Sequence, residues 1–160
     1  MSGFQDTTAF TMGGVAADSA IGAAVEGRAK IFEMTQAAED AVLAPAEAGG
    51  LSHDLRAALA ARIARLNGEA DLAERYAGRI GGDAALADPA NDGTAQDMGA
   101  VVAFMDKVAG RTAEVRAEDV ETLKSAGIGD ADIVRLAELN AFLAYQIRLI
   151  AGLRLMGETQ

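Results

Sequence analysis

Apolar residues along this chain recur at helical spacing, not in strict alternation. Leu55, Leu59, Ile63 and Leu66 stand at i, i+4, i+8 and i+11, which predicts an amphipathic helix. Ser52 suits its N-cap, Asp54 its positive first turn, and Asn67-Gly68 a left-handed stop. A short helix is predicted from Glu69 to Ile80, with Leu72, Tyr76 and Ile80 on one face. Upstream, Asp18 or Ser19 can cap a helical segment reaching Leu43, with a break near Gly27 and Ile31, Met34, Ala38 and Val42 forming its stripe. Downstream, Thr94 can cap a helix carrying Met98, Val101, Val102, Met105 and Val108 and ending at Gly110.

A further short helix is predicted at 117–126, stopped by Gly127. Asp130 can cap the last and longest helix. Ile133, Leu136, Leu139, Phe142, Leu143, Ile147, Ile150 and Leu153 cover most of its circumference, the pattern of a central helix or of a subunit contact. Residues 1–16 are polar and glycine-containing, without helical period, and read as a loose arm or a strap on a partner. The expectation is an all-α chain of about six or seven helices, with residues 17–160 as a single helical domain.

Composition strengthens this reading. Hydrophobic residues make up 51% of the chain but aromatics only 4%, so Ala and Leu, both good helix formers, supply most apolar surface. The net charge of −10 argues against a nucleic-acid partner. The most apolar stretch, Leu136–Leu155, contains Glu138, Asn140, Gln146, Arg148 and Arg154, which argues against a membrane span. The opening residues have neither a basic start nor an unbroken apolar run, and the expected location is cytoplasmic. There is no cysteine, hence no disulfide, no thiolate nucleophile and no Cys-ligated metal. His53, the only histidine, lies beside the cap Ser52; neither a metal site nor a Ser-His-Asp triad is expected of it, and no cofactor is expected.

Two stretches carry a resemblance. The first runs from Gly50-Leu51-Ser52 through Arg56 to Leu66-Asn67-Gly68. The second runs from Asp119-Val120 through Leu123, Ala126-Gly127 and Asp132-Ile133 to Ala141-Phe142, Tyr145-Gln146, Arg148 and Gly152-Leu153. In this order they resemble peroxidase-related members of the carboxymuconolactone decarboxylase and alkyl hydroperoxidase D superfamily, over most of residues 50–156. The resemblance implies an alkyl hydroperoxidase D-like helical bundle and a homo-oligomer, whether dimer, trimer or hexamer.

It also implies a dithiol relay. The family's two cysteines fall on Glu69 and Leu72, its histidine on Tyr76 (or Arg75, one residue off), and its glutamate on Ala57. Every member is replaced, and peroxide reduction by that route needs a thiolate and a resolving thiol. The expectation is a degenerate redox site in a structural or small-ligand-binding oligomer. The alternative is a cysteine-independent lyase or decarboxylase acting on a small carboxylate or lactone, with Glu69, Tyr76 and an arginine as its working groups. The candidate pocket comprises Asn67, Glu69, Arg75, Tyr76, Tyr145 and Gln146.

Each candidate has a plainer reading. Glu69, Asp71 and Glu74 suit a helix N-terminus as well as acid–base work. Tyr76 suits a core position. Tyr145, Gln146 and Arg148, polar groups in the most apolar helix, suit pairing across a subunit contact as well as a ligand. Arg56, Arg62, Arg65, Arg75 and Arg79 could hold a carboxylate, but the safer reading is a solvated face paired with Glu69, Asp71 and Glu74.

Overall fold

The computed structural model describes residues 3–159. Among these, the chain forms eight α-helices and short 3-10 turns, with no strand. The helices are α1 (Thr8–Gly13), α2 (Ala20–Glu26), α3 (Ala29–Leu43), α4 (His53–Leu66), α5 (Ala70–Ala77), α6 (Gly99–Gly110), α7 (Ala117–Ser125) and α8 (Asp130–Glu158). The chain divides into two compact units. One is built from residues up to Ala41 and from Ala144 onward, the other from residues 42–143.

The larger unit is organised around α4. Nine consecutive residues, Arg56 through Ala64, are buried, so α4 is the enclosed helix of this unit and not an amphipathic one. Five alanines in that run explain how: small side chains let neighbours approach on every side. α4 packs against α5, the 3-10 turn at Ala85–Ala87 and α6. Ser52 caps it, its hydroxyl accepting from the Leu55 N–H at 3.1 Å. Gly68, in the left-handed conformation (φ 76°), turns the chain into α5. Leu72 and Tyr76 of α5 are fully buried, and so are Met105 of α6 and Leu123 of α7. Asn140 of α8 donates to the Met105 carbonyl at 2.9 Å. α6 begins at Gly99, behind a 3-10 turn at Thr94–Gln96, and not at Thr94 as the cap pattern predicts. Asp88, Asn91 and Asp92 bond the local backbone instead, as when the Thr94 N–H meets the Asp92 carboxylate at 2.9 Å.

In the smaller unit, the described part of the segment read as a loose arm holds a 3-10 turn at Phe4–Asp6 and the helix α1. Thr7 caps α1, and Gly14 (φ 66°) ends it. Phe10 is buried with Ile21, Val25, Phe32 and Leu153, and the Phe4 ring meets the Phe10 ring edge-on at 5.4 Å. A helix of six residues is too short to show a period, so tertiary packing makes it. Ser19 caps α2, and the break at Gly27 falls as predicted. Gly22 cannot carry a side chain, because a Cβ there would lie 2.4 Å from the Ala17 carbonyl oxygen.

The face of α3 differs from the prediction. Ile31 and Met34 are 41% and 58% exposed, and Ala38 is exposed. The buried stripe lies one position on, at Phe32, Thr35, Glu39 and Leu43. Two of its four residues are polar, which hid it from a hydrophobic count. α8 is likewise one-faced. It buries Ile133, Leu136, Leu139, Leu143, Gln146, Ile150 and Leu153, while Val134, Tyr145 and Leu155 face outward.

Candidate functional site

The positions on which the resemblance would lay a dithiol relay lie on α4, on α5 and at the N-cap of α5. Ala57 is 2% exposed, and Leu72 and Tyr76 are fully buried. Glu69 occupies the N-cap of α5, partly exposed, without making a cap hydrogen bond through its side chain. Asn67 uses its amide to donate to the Ile63 carbonyl at 2.8 Å, closing the end of α4. Arg75 is exposed on α5. These four candidate pocket residues, Asn67, Glu69, Arg75 and Tyr76, belong to the larger unit. Tyr145 and Gln146 belong to the smaller one.

In the smaller unit, both of those residues are engaged within the chain. The Tyr145 and Thr35 hydroxyls meet at 3.0 Å. Gln146 donates from Nε2 to Glu39 Oε2 at 2.6 Å, and Thr8 donates its hydroxyl to Glu39 Oε1 at 2.9 Å. Glu39 is therefore a buried carboxylate held by neutral donors, a feature the sequence reading passed over. Arg148 remains exposed and bonds the Ala144 carbonyl, one turn back on its own helix.

The arginines require a correction. Arg56 and Arg62 are 2% and 1% exposed, so neither belongs to a solvated face. Arg56 donates to the carbonyls of Leu51 (3.0 Å), Val42 (3.1 Å) and Ala48 (2.8 Å), gathering the 42–51 connection onto α4. Burial pulls its pKa below the usual guanidinium value, and the charge of Arg135 adds to this while Asp132 and Glu138 oppose it.

Arg62 is more heavily committed. Its guanidinium grips both oxygens of Asp106, at 2.6 and 2.7 Å, and donates to the carbonyls of Leu86, Asp88, Pro89 and Asn91. Arg65 adds the Ala87 carbonyl at 2.7 Å. The planar five-donor fork suits such a cluster of acceptors. A signal was present in the sequence: Asp88–Gly93 has no helical neighbours for its carbonyls, and such groups need donors. Arginines set among alanines on the adjacent helix supply them.

Two clefts in the larger unit have polar linings. One, of about 380 Å³, is walled by Ser52, Asp54, Asp83 and Gln96 over Leu55 and Met98. Its two carboxylates already accept backbone N–H groups, Asp54 from Gly81 and Asp83 from Ala85. The other, of about 290 Å³, has Lys107, Arg111, Glu114 and Asp119 around Phe104. Lys107 pairs with Asp119 at 2.8 Å, and Asp119 also accepts from the Arg116 N–H at the start of α7. The Lys107 hydrogen bond, then that backbone bond, hold the Asp119 carboxyl below the usual carboxylate range.

His53 has Nε2 3.0 Å from the Pro45 carbonyl, which fixes the proton on that nitrogen. Among the described residues, no group of three or more His, Cys, Asp or Glu side chains is placed to hold a metal ion, and no helix is long and apolar enough to cross a membrane. Comparison with protein-family models, with curated proteins and with solved structures returns no match.

Proposed function

We propose that this chain is a member of the carboxymuconolactone decarboxylase-like superfamily whose redox site is degenerate, acting as a structural or small-ligand-binding homo-oligomer and not as a dithiol peroxidase. The observation that carries the reading is the absence of any thiol, together with the burial of three of the four positions on which the resemblance lays the relay. No cysteine exists anywhere in the chain, and the relay-matched positions Ala57, Leu72 and Tyr76 are buried packing residues. A thiolate must be reached by peroxide and regenerated by a second thiol. Buried side chains without a thiol offer neither.

The test is peroxide consumption by purified protein with a dithiol donor. The expected rate is the uncatalysed one, and saturable turnover above it would overturn the proposal. A second reading keeps a cysteine-independent lyase acting on a small carboxylate or lactone. It draws on Glu69, partly exposed at the N-cap of α5, and on the exposed Arg75 of that helix. Full burial removes Tyr76 from that set. Thermal-shift titration with lactones and small mono- and dicarboxylic acids tests it, a ligand-dependent rise in Tm supporting it and a flat response opposing it.

A further inference from the structure

α4 ends on the one Asn-Gly pair of the sequence, Asn67-Gly68. The Gly68 N–H donates to the Arg65 carbonyl at 3.0 Å and the Glu69 N–H to the Ala64 carbonyl at 2.9 Å, the nested pair of bonds that a left-handed glycine makes possible. The Asn67 side chain adds a third bond, from Nδ2 to the Ile63 carbonyl at 2.8 Å. This turn sets α5, whose Leu72, Ala73 and Tyr76 are buried, against α4.

An asparagine followed by glycine is also the pair most prone to attack by its own backbone. Glycine has no Cβ to shield its peptide nitrogen, and attack of that nitrogen on the asparagine Cγ closes a five-membered imide. In the folded cap three features prevent this. Asn67 has ψ 6°, so the Gly68 nitrogen is nearly eclipsed with the Asn67 nitrogen and stands about a third of a turn away from Cβ and the Cγ it carries. The Gly68 N–H is held by Arg65, and the leaving group Nδ2 by Ile63. Yet Asn67 and Gly68 are both exposed, so fraying of the last turn of α4 is enough to release them.

We propose that Asn67-Gly68 is a self-modification site gated by that turn, and that its products cannot rebuild the cap. On opening, the Gly68 nitrogen attacks Asn67 Cγ, the Cγ–Nδ2 bond breaks, and ammonia leaves with the proton from Gly68. Water then opens the imide. Addition at Cγ gives an ordinary aspartyl residue. Addition at the backbone carbonyl gives the isoaspartyl link, in which the main chain runs through Cγ. The balance is amide and water in, carboxylate and ammonium out, and it needs no ligand and no second copy of the chain. Either product loses the donor to the Ile63 carbonyl and gains a negative charge at the negative end of α4. The isoaspartyl form also inserts a methylene into the main chain, which puts the nested bonds out of register. Each converted molecule therefore holds α5 less firmly against α4.

Peptide mapping by mass spectrometry in mildly alkaline buffer, with and without unfolding urea, tests this. Conversion at Asn67 is expected to be at least about tenfold slower in folded protein than in urea. Leu66→Gly, which weakens the last turn and leaves the reacting pair intact, should raise the folded rate about fivefold without changing the rate in urea. Asn67→Asp, the product analogue, should unfold at lower urea than wild type, with Asn67→Ala between them. Equal rates in folded protein and in urea, or a folded rate indifferent to Leu66→Gly, overturn the gating. No conversion at Asn67 in urea overturns the site itself. An Asn67→Asp midpoint equal to that of wild type overturns the effect on the cap.

Discussion

The two units bury charge in opposite ways. Around α4, two buried cations are satisfied chiefly by backbone carbonyls of loops: three on Arg56, and four with one carboxylate on Arg62. In the smaller unit, a buried anion, Glu39, accepts from the hydroxyl of Thr8 and the amide of Gln146, side chains on two other helices. The difference follows from what surrounds each group. Loops have surplus carbonyls and few surplus donors, so a cation organises them. Helices have satisfied backbones, so a charge between them must find side-chain partners. An arginine inside α4 thus shapes the segments around it, whereas Glu39 joins helices that already exist.

Arg62→Met offers the sharpest break of this comparison. It leaves Asp106 without its partner and removes the donor from four carbonyls, and a loss of about 3–5 kcal/mol in urea unfolding is expected. A loss below about 1 kcal/mol would show that water replaces the guanidinium at little cost. Arg56→Met should lose about 2–3 kcal/mol, and Arg56→Lys should recover only a minor part, since one ammonium cannot span three divergent carbonyls. If lysine restores full stability, charge and not the fork geometry governs that site. Glu39→Gln should cost about 1–2 kcal/mol, because it keeps the volume but turns one charge-assisted acceptor into an amide. A neutral result there would place the stability of the smaller unit in its apolar cluster.

The smallest effect concerns Asp119. Its carboxyl is held below its unfolded value, so the contribution is complete above the unfolded pKa and is lost as pH falls through the lowered folded value. Wild type should therefore exceed Asp119→Asn in urea midpoint at neutral pH, with the gap closing as acid titrates the carboxylate. A gap independent of pH would assign the effect to capping geometry alone.

Local signals in the sequence carried well where backbone chemistry decides the outcome. Ser19 and Ser52 cap the helices they were expected to cap, and Gly27, Gly68 and Gly127 mark helix ends. All-helical character followed from an Ala- and Leu-rich composition. What stayed hidden depends on partners distant in sequence. The buried face of α3 contains Thr35 and Glu39, whose partners Tyr145 and Gln146 lie more than a hundred residues away. Arg56 and Arg62 resemble surface residues until the loops they hold are known. The candidate site was legible only through the resemblance, as the positions on which it would lay a relay. Burial of Ala57, Leu72 and Tyr76 is a tertiary fact that spacing does not contain.

The grip of Arg62 also bears on how the protein meets proteases. The segment from Asp88 to Gly93 has the proline, aspartates and glycine of an easily nicked connection. Yet to enter a protease cleft it must extend, and extension means withdrawing the Asp88, Pro89 and Asn91 carbonyls from a side chain rooted in the enclosed helix. Cleavage there is expected to wait on the opening of α4 itself, so its rate should rise as global stability falls, and rise sharply in Arg62→Met.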